Sequence, residues 1–247
     1  MKFQTAITNI NSGEEIIRGY ALEDLIQKKT FAESIYLVLR GELPTDKEAR
    51  MFNAILTAAI DHGPGTTSGM TARIVASAKN SLHTAVAAGI LAMGELHGSA
   101  IEGAAKFFQT EKDNQDLLGL LKGYKEHHIR VPGYGHAILV DDKRATGLLA
   151  VAKDVGLFGV HCEMALAVAD ALGNLSSKKL PLNIDGAMAA ILSDMGFSWI
   201  GIKGIFIIAR VPGLVAHVSE EMVGDAGIRR LKEEDVEYTG PVAREVT

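Results

Sequence analysis

The sequence predicts an all-α protein, and three observations lead to this fold class. Apolar residues recur with helical periodicity along most of the chain, two capping boxes each start such a stretch, and convincing strand alternation is confined to roughly the first dozen residues. Of the 247 residues, 47% are apolar and only 6% aromatic, so the core must rest on aliphatic side chains, which suit close helix packing. We therefore expect a folded, mostly helical protein.

Caps and helix breakers place the helices in order. Thr30 and Thr45 each stand three residues before a glutamate, a capping-box pattern that predicts helices from about residues 31 and 46. The first ends at Gly41, and the Gly-Pro pair at 63–64 keeps the second from continuing past about residue 61. Further helices are predicted at about 70–96 with an interruption near Asn80, at about 99–109, in a short stretch ending near His128, and at roughly 142–155, 159–173, 184–196 and 203–223.

The charge balance and the cysteine count exclude several kinds of partner and site. Lys and Arg number 25 and Asp and Glu 30, a net charge of −5, whereas a general nucleic-acid binder needs clustered cations. The single cysteine, Cys162, permits neither an intrachain disulfide nor a cysteine-based zinc site. The sequence also lacks a His-Glu-x-x-His pair, a phosphate-binding Gly-x-x-x-x-Gly-Lys loop, a complete dinucleotide fingerprint and a Gly-x-Ser-x-Gly elbow.

No segment indicates export or a membrane. No apolar run follows Lys2, as a secretory signal would require. The most apolar stretch, 199–218, is interrupted by Lys203 and Arg210, and both charges oppose a membrane span. We therefore expect a cytoplasmic protein without a membrane partner.

Four ionisable residues stand out because each lies at a helix boundary beside a glycine: His62, His97, His136 and Asp185. Glycine lets a backbone or ligand approach closely, and helix ends carry free N–H or C=O groups that bind charge. A lone histidine is more often structural, and an Asp before Gly is more often a turn or an N-cap. Four such residues in apolar surroundings favour a functional site.

Arg210 adds a cation to this set. It follows an apolar run at 205–209, and a buried arginine needs an anionic partner. That partner is either an internal carboxylate, in a salt bridge, or a substrate carboxylate, which the guanidinium fork matches bidentately. Both interpretations remain open at this point.

Taken in order, segments of the chain resemble blocks of the citrate synthase superfamily. The segments are RGYALEDL at 18–25, FAESIYLVLRGELP at 31–44, LHG at 96–98, GYGHAIL at 133–139, NIDG at 183–186 and FIIAR at 206–210. The resemblance covers nearly the whole chain and implies a citrate-synthase-like helical fold. It implies one such unit over 1–247, with a small CoA-binding lobe at about 98–195 and a large helical core formed by 1–97 and 196–247.

Two departures point to the compact citryl-CoA lyase type within this superfamily. Only about seventeen residues separate Pro44 from His62, where ordinary citrate synthases carry a long additional helical segment. The text DHGP at 61–64 also resembles the citryl-CoA lyase module of ATP-citrate lyase more than the synthase motif. The resemblance thus implies cleavage of citryl-CoA to acetyl-CoA and oxaloacetate, by reversible Claisen- or aldol-type chemistry.

The resemblance also implies a role for each candidate residue. Asp185 is the carboxylate that moves the proton at the enol carbon, His97 donates to the thioester carbonyl, and His136 accepts the citryl hydroxyl proton. The implied substrate-binding residues are His62, Arg144, Arg210 and Arg230, and the implied CoA contacts are Val131, Pro132, Gly133, Tyr134 and Gly135. The substrate is a coenzyme A thioester, and this chemistry requires neither a metal nor a tightly bound cofactor.

Arg230 matches the arginine that the family donates across a dimer interface, with the adjacent Arg229 as the alternative. A homodimer or a dimer of dimers is therefore expected.

Other functions use the same residues. A citrate synthase, or a related enzyme joining an acyl-CoA to another 2-oxo acid, would run the same chemistry in the other direction. A metal-dependent hydrolase could use the histidines and Asp185 as ligands. A non-catalytic helical regulatory protein is disfavoured, because a scaffold has no need for buried charge. The sequence leaves open the direction, the 2-oxo acid, and whether a separate citryl-CoA synthetase acts upstream.

Overall fold

The computed structural model of the protein describes residues 2–10, 13–95, 97–98, 100–135, 142–176, 180–224 and 227–245. Within these ranges the chain forms helices, one small sheet and a 3-10 helix at Glu233–Asp235, so the all-α prediction is confirmed. The helices are α1 Leu22–Lys28, α2 Phe31–Arg40, α3 Asp46–Ala58, α4 Thr67–Ser77, α5 Leu82–Leu91, α6 Ala100–Glu111, α7 Leu117–Glu126, α8 Lys143–Val155, α9 Val160–Leu175, α10 Ile184–Asp194 and α11 Trp199–Val223.

The predicted helix ends differ from the observed ones by a few residues. The stretch predicted at about 70–96 forms α4 and α5, which are separated by residues 78–81. The last long helix begins at Trp199 rather than at about 203, and α3 ends at Ala58. The short helix α1 was not predicted from the sequence; its first turn carries Glu23 and Asp24, which suit the positive end of the helix dipole.

The caps that start α2 and α3 have the predicted geometry. Thr30 accepts from the backbone N–H of Glu33 through its side chain, and the Glu33 carboxylate accepts from the Thr30 N–H at 2.9 Å. Thr45 and Glu48 form the same capping box. Gly41 ends α2 with φ +90°, a left-handed conformation that glycine adopts without a steric penalty.

Helix α9 is capped from a distant part of the chain. Gly159, the residue before this helix, has no side chain to offer, and Asp194 at the end of α10 takes its place. The Asp194 carboxylate accepts from the backbone N–H groups of Gly159 at 2.8 Å, His161 at 3.0 Å and Cys162 at 3.1 Å. This cap fixes α9 to α10 and leaves the Cys162 thiol buried.

A small antiparallel sheet lies near the N-terminus, with strands β1 Thr8–Asn9, β2 Ile16–Ile17 and β3 Tyr20–Ala21 in that order. Arg18 and Gly19 connect β2 to β3 with φ values of +50° and +89°, the pattern of a tight hairpin turn. The Arg18 guanidinium donates to the Val38 carbonyl at 3.2 and 2.9 Å, which fixes the hairpin to α2.

The chain divides into two compact units, one of Met1–His62 with Met93–Gly213 and one of Gly63–Ala92 with Leu214–Thr247. In the first unit, α10 packs against α6, α8 and α9, and its residues 186–193 are all buried. In the second unit, α4 packs against α5. The lobe boundaries expected at about 98 and 195 stay a prediction.

Among the described residues, α11 is long and apolar enough to cross a membrane by length and composition. The core helix of a soluble protein passes the same test, and a third of its apolar window is buried within the protein (33%). Arg210 lies inside this helix, where its side chain is buried and donates to the Ala59 carbonyl. This part of the helix therefore packs within the protein.

Candidate active site

Five of the seven predicted catalytic and substrate-binding residues lie in the described part of the first unit: His62, His97, Arg144, Asp185 and Arg210. They come from five separate places in the chain, and the fold brings their charges together. The Arg144 Nη1 atom lies 3.1 Å from Nδ1 of His62. The charge of Arg210 acts on His97, and the charges of Asp185 and Arg144 act on Arg210. The roles of these residues in one shared site stay a prediction.

Arg210 is the most buried cation of the group, with only 4% of its surface exposed. Its Nε atom donates to the Ala59 carbonyl at 2.8 Å, and its guanidinium carbon lies 5.0 Å from the centre of the Phe206 ring. Burial lowers the pKa of Arg210, whereas the carboxylates of Asp61 and Asp185 raise it. Two internal carboxylates thus stabilise the charged form of Arg210, and a bound substrate carboxylate would stabilise it in the same way.

His97 is partly buried and surrounded by positive charge. Burial lowers its pKa, and the charges of Arg210 and of His62, when the His62 ring is protonated, lower it further. The imidazole is therefore held in its neutral form near neutral pH, in which one ring nitrogen donates a hydrogen bond and the other accepts. A neutral donor of this kind suits the stabilisation of a carbonyl oxygen that gains negative charge.

The glycine after His97 has a physical reason. Gly98 has φ +80°, and a Cβ atom placed there would lie 3.0 Å from Cε1 of Phe206 and 3.4 Å from Cβ of Met93. Glycine alone meets both conditions without strain. Gly98 thus lets the backbone next to His97 lie close to Phe206 of α11, the helix that carries Arg210.

Asp185 lies in the first turn of α10, where the helix dipole favours a carboxylate. The helix begins at Asn183, whose side-chain oxygen accepts from the Gly186 N–H at 3.1 Å. The Asn183 amide nitrogen Nδ2 donates to the Gly135 carbonyl at 2.9 Å, and the Asn183 backbone N–H donates to the Gly133 carbonyl at 3.0 Å. Asn183 thus holds the 131–135 loop against the helix that presents Asp185.

The 131–135 loop packs on α10 without any gap for a side chain. A Cβ atom on Gly133 would lie 2.7 Å from the Gly186 Cα atom, and one on Gly186 would lie 2.5 Å from the Gly133 carbonyl oxygen. The Tyr134 hydroxyl donates to the Ala165 carbonyl at 2.8 Å, and burial raises its pKa. The predicted CoA contact of this loop stays a prediction.

Two predicted residues are not part of this grouping. His136 lies outside the described residues. Arg230 is exposed and belongs to the second unit, where its predicted role across a dimer interface stays a prediction. Its neighbour Arg229 pairs with Glu221 at 2.7 and 3.0 Å, and Glu221, whose side chain is 2% exposed, also pairs with Arg73 at 2.7 Å. Arg229 is thus engaged within its own chain, which favours Arg230 for the intersubunit role.

No group of three His, Cys, Asp or Glu side chains that could hold a metal ion is found in the described part of the chain. Because His136 lies outside it, the prediction of a site without metal stays a prediction.

Sequence reasoning missed two carboxylates. Asp142 accepts from Nε and Nη2 of Arg144, both at 2.9 Å, and from the backbone N–H of Ile184 at 3.0 Å. Asp61 acts on the charge of Arg210. The signal for Asp142 was its position as the N-cap of α8, two residues before Arg144. Asp61 entered the sequence analysis only as the first residue of the DHGP segment, without a predicted role.

The family model "Citrate synthase, C-terminal domain" matches residues 1–54 and 44–232 of the chain. The structure of citryl-CoA lyase from Hydrogenobacter thermophilus superposes with a TM-score of 0.94 at 46% identity, covering 100% of this chain and 98% of that one. Methanosaeta concilii ATP citrate lyase in complex with (3S)-citryl-CoA superposes with a TM-score of 0.85 at 23% identity, over 98% of this chain and 42% of that chain, which is a likeness of fold alone.

The curated relatives are longer proteins. Citrate synthase 2 of Bacillus subtilis is 29% identical over 215 residues, which cover 85% of this chain and 56% of that protein. ATP-citrate synthase beta chain protein 1 of Oryza sativa subsp. japonica is 29% identical over 242 residues, which cover 91% of this chain and 38% of that protein. The chain therefore spans about half or less of the length of these relatives.

Proposed function

Because this chain belongs to the citrate synthase family, we propose that it is a citryl-CoA lyase, which cleaves citryl-CoA to acetyl-CoA and oxaloacetate. The observation that carries the proposal is the likeness to the Hydrogenobacter thermophilus citryl-CoA lyase, which extends over 100% of this chain and 98% of that one at 46% identity. The DHGP segment at 61–64, which resembles the citryl-CoA lyase module of ATP-citrate lyase, supports the lyase direction over synthesis.

The cleavage step moves one proton away from the substrate and returns one. The citryl hydroxyl loses its proton, for which His136 is the proposed acceptor, and the O–H electrons form the oxaloacetate carbonyl. The C–C bond breaks, and its electrons form the enolate of acetyl-CoA. His97, a neutral donor, stabilises the thioester oxygen of this enolate, and Asp185, protonated at the start of the step, delivers its proton to the enolate carbon and becomes a carboxylate.

The cations of the site suit the two free carboxylates of citryl-CoA. Arg144 and Arg210 lie in the same cluster, and Arg210 is buried, so its charge acts in a medium where water screens it weakly. His62 joins Arg144 through its Nδ1 atom. We propose that Arg230 of a second copy completes the carboxylate contacts, in a homodimer or a dimer of dimers.

The test is to incubate the protein with citryl-CoA and to assay free oxaloacetate and acetyl-CoA. A lyase releases both in equal amounts, and Asp185→Ala serves as the inactive control. Citrate and free CoA as the only products would contradict the lyase assignment and favour a synthase, which hydrolyses citryl-CoA. Loss of activity in a strong chelator would instead support the metal-dependent alternative.

A further inference from the structure

The carboxylate of Asp142 lies at the centre of a chain of contacts that links two parts of the proposed site. Its side chain is 1% exposed. One oxygen, Oδ1, accepts from Nε of Arg144 at 2.9 Å, and the other, Oδ2, accepts from Nη2 at 2.9 Å. Oδ2 also accepts from the backbone N–H of Ile184 at 3.0 Å, at the start of the helix that carries Asp185. One buried carboxylate therefore holds both the arginine fork and that helix end.

Arg144 extends this chain to His62. Its Nη1 atom lies 3.1 Å from Nδ1 of His62, and a guanidinium can only donate. Nδ1 must therefore offer its lone pair, so the proton of the neutral ring sits on Nε2. Among the described residues, these contacts use three of the five N–H groups of Arg144, and we propose that the other two bind a substrate carboxylate.

Asp142 is charged when it makes these contacts. Burial raises its pKa, but the hydrogen bonds and charge of Arg144 and the N–H of Ile184 outweigh burial and hold the pKa below its ordinary value. A bidentate arginine–carboxylate pair fixes the plane of the guanidinium as well as its place.

We propose that Asp142 is a positioning residue for the cleavage reaction: it orients Arg144, fixes His62 as the Nε2–H tautomer, and ties both to the end of α10 that presents Asp185. This role rests on the proposed lyase function, because Arg144, His62 and Asp185 act on the substrate. Asp142 itself touches no substrate and acts through the residues that it holds.

The test uses Asp142→Asn. In this variant one carboxylate oxygen becomes an amide NH₂ group, which cannot accept the hydrogen bond that the oxygen accepted. We expect kcat/KM for citryl-CoA to fall on the order of 10²-fold, since a misplacement of this kind costs about that much. The fall should appear in both kcat and KM, because the helix end and the arginine are both released. The matched control is Asp116→Asn, which changes the N-cap carboxylate of α7 and should leave kcat/KM unchanged.

A double-mutant cycle and a spectroscopic readout separate positioning from a general loss of structure. In an Arg144→Ala background, Asp142→Asn should cost much less than in the wild type, because most of its effect passes through Arg144. Nitrogen NMR of ¹⁵N-labelled histidine should show His62 as the Nε2–H tautomer in the wild type and as a mixture in Asp142→Asn, with His62→Gln to assign the signal.

Each outcome bears on the proposal. Additive effects of the two substitutions, or a kcat/KM within about threefold of wild type, would overturn it while leaving the lyase function intact. A wild-type protein that does not cleave citryl-CoA would remove the lyase function, and the His62 tautomer would then decide the role of Asp142. A proton on Nδ1 of His62 in the wild type would overturn the positioning role, whatever the behaviour of the variants. If Asp142→Asn fails to fold, Asp142→Ser replaces it, because serine can still cap α8.

Discussion

The imidazole of His97 combines the effects of burial and of nearby cations. Both lower its pKa, and the residue that follows it, Gly98, lies close to Phe206 on the helix that carries Arg210. A neutral imidazole still carries one N–H group, with which it can donate a hydrogen bond to the thioester oxygen. Arg210, which is proposed to bind a substrate carboxylate, thus also favours the neutral form of His97.

Arg210→Gln is expected to raise the pKa of His97. Removing a nearby positive charge stabilises the protonated ring, so the ring takes up its proton at a higher pH. NMR titration of the His97 ring measures this directly. Lys203→Gln, which removes a cation from the same helix that does not act on His97, is the matched control. An unchanged or lower pKa in Arg210→Gln would show that Arg210 does not set the charge of His97.

Asp185→Ala is expected to lower kcat by about 10²- to 10⁴-fold, the range typical of a removed general acid or base. CoA binding should persist, because Asn183 and not Asp185 caps α10. Citryl-CoA turnover and calorimetry with CoA separate the two effects. Turnover close to that of the wild type would refute the role of Asp185 in proton transfer.

At the scale of elements, the site depends on how closely the 131–135 loop approaches α10. The Gly133 and Gly186 backbones are in contact. Asn183 binds the loop twice, because its side-chain amide donates to the Gly135 carbonyl and its backbone N–H donates to the Gly133 carbonyl. The loop is therefore part of the wall that positions Asp185. Any side chain inserted between them must move either the loop or the helix end.

Gly186→Ala is expected to destabilise the protein by about 1–3 kcal/mol, because its Cβ atom would lie 2.5 Å from the Gly133 carbonyl oxygen and from Cδ1 of Leu182. Gly147→Ala is the matched control. It lies in the exposed part of α8 with nothing within 4 Å of a Cβ atom, so it should stabilise by about 0.5–1 kcal/mol. Urea unfolding measures both. Equal effects of the two substitutions would show that the close approach carries no cost.

Local signals explain which elements could be predicted from the sequence. Each capping box, Thr30 with Glu33 and Thr45 with Glu48, lies within four residues of sequence, and both helix starts were predicted. The cap of α9 was not, because Asp194 reaches it from more than thirty residues away. Likewise, sequence motifs identified His62, His97, Asp185 and Arg210 as candidate site residues. The contacts of Asp142 with Arg144 and Ile184 could not be predicted, because they form only when α8 and α10 have packed.

At the scale of the whole molecule, the division into two units bears on assembly. Arg230 belongs to the second unit, in which Glu221 anchors the segment after α11 through Arg73 and Arg229. Asp185, Arg144 and Arg210 belong to the first unit. If Arg230 serves the site of a second copy, then each site draws on two chains.

Mixing Arg230→Ala with Asp185→Ala protein under conditions that exchange subunits is expected to restore activity. Random exchange of dimers makes half of them hybrids, and one of the two sites in each hybrid carries neither substitution, so about a quarter of full activity should return. A mixture of His97→Ala with Asp185→Ala is the control and should stay inactive, because both residues come from the same chain. Absence of recovery in the first mixture would place Arg230 outside the site of the second copy.

The capped start of α9 gives the protein a chemical reporter of its own opening. Cys162 is the only cysteine in the chain, it is buried, and burial raises the pKa of its thiol. A thiol reagent can therefore label the native protein only after this region has opened. The rate of labelling would give the frequency at which the first unit loosens, and its slowing by a bound ligand would report occupancy without any measurement of turnover.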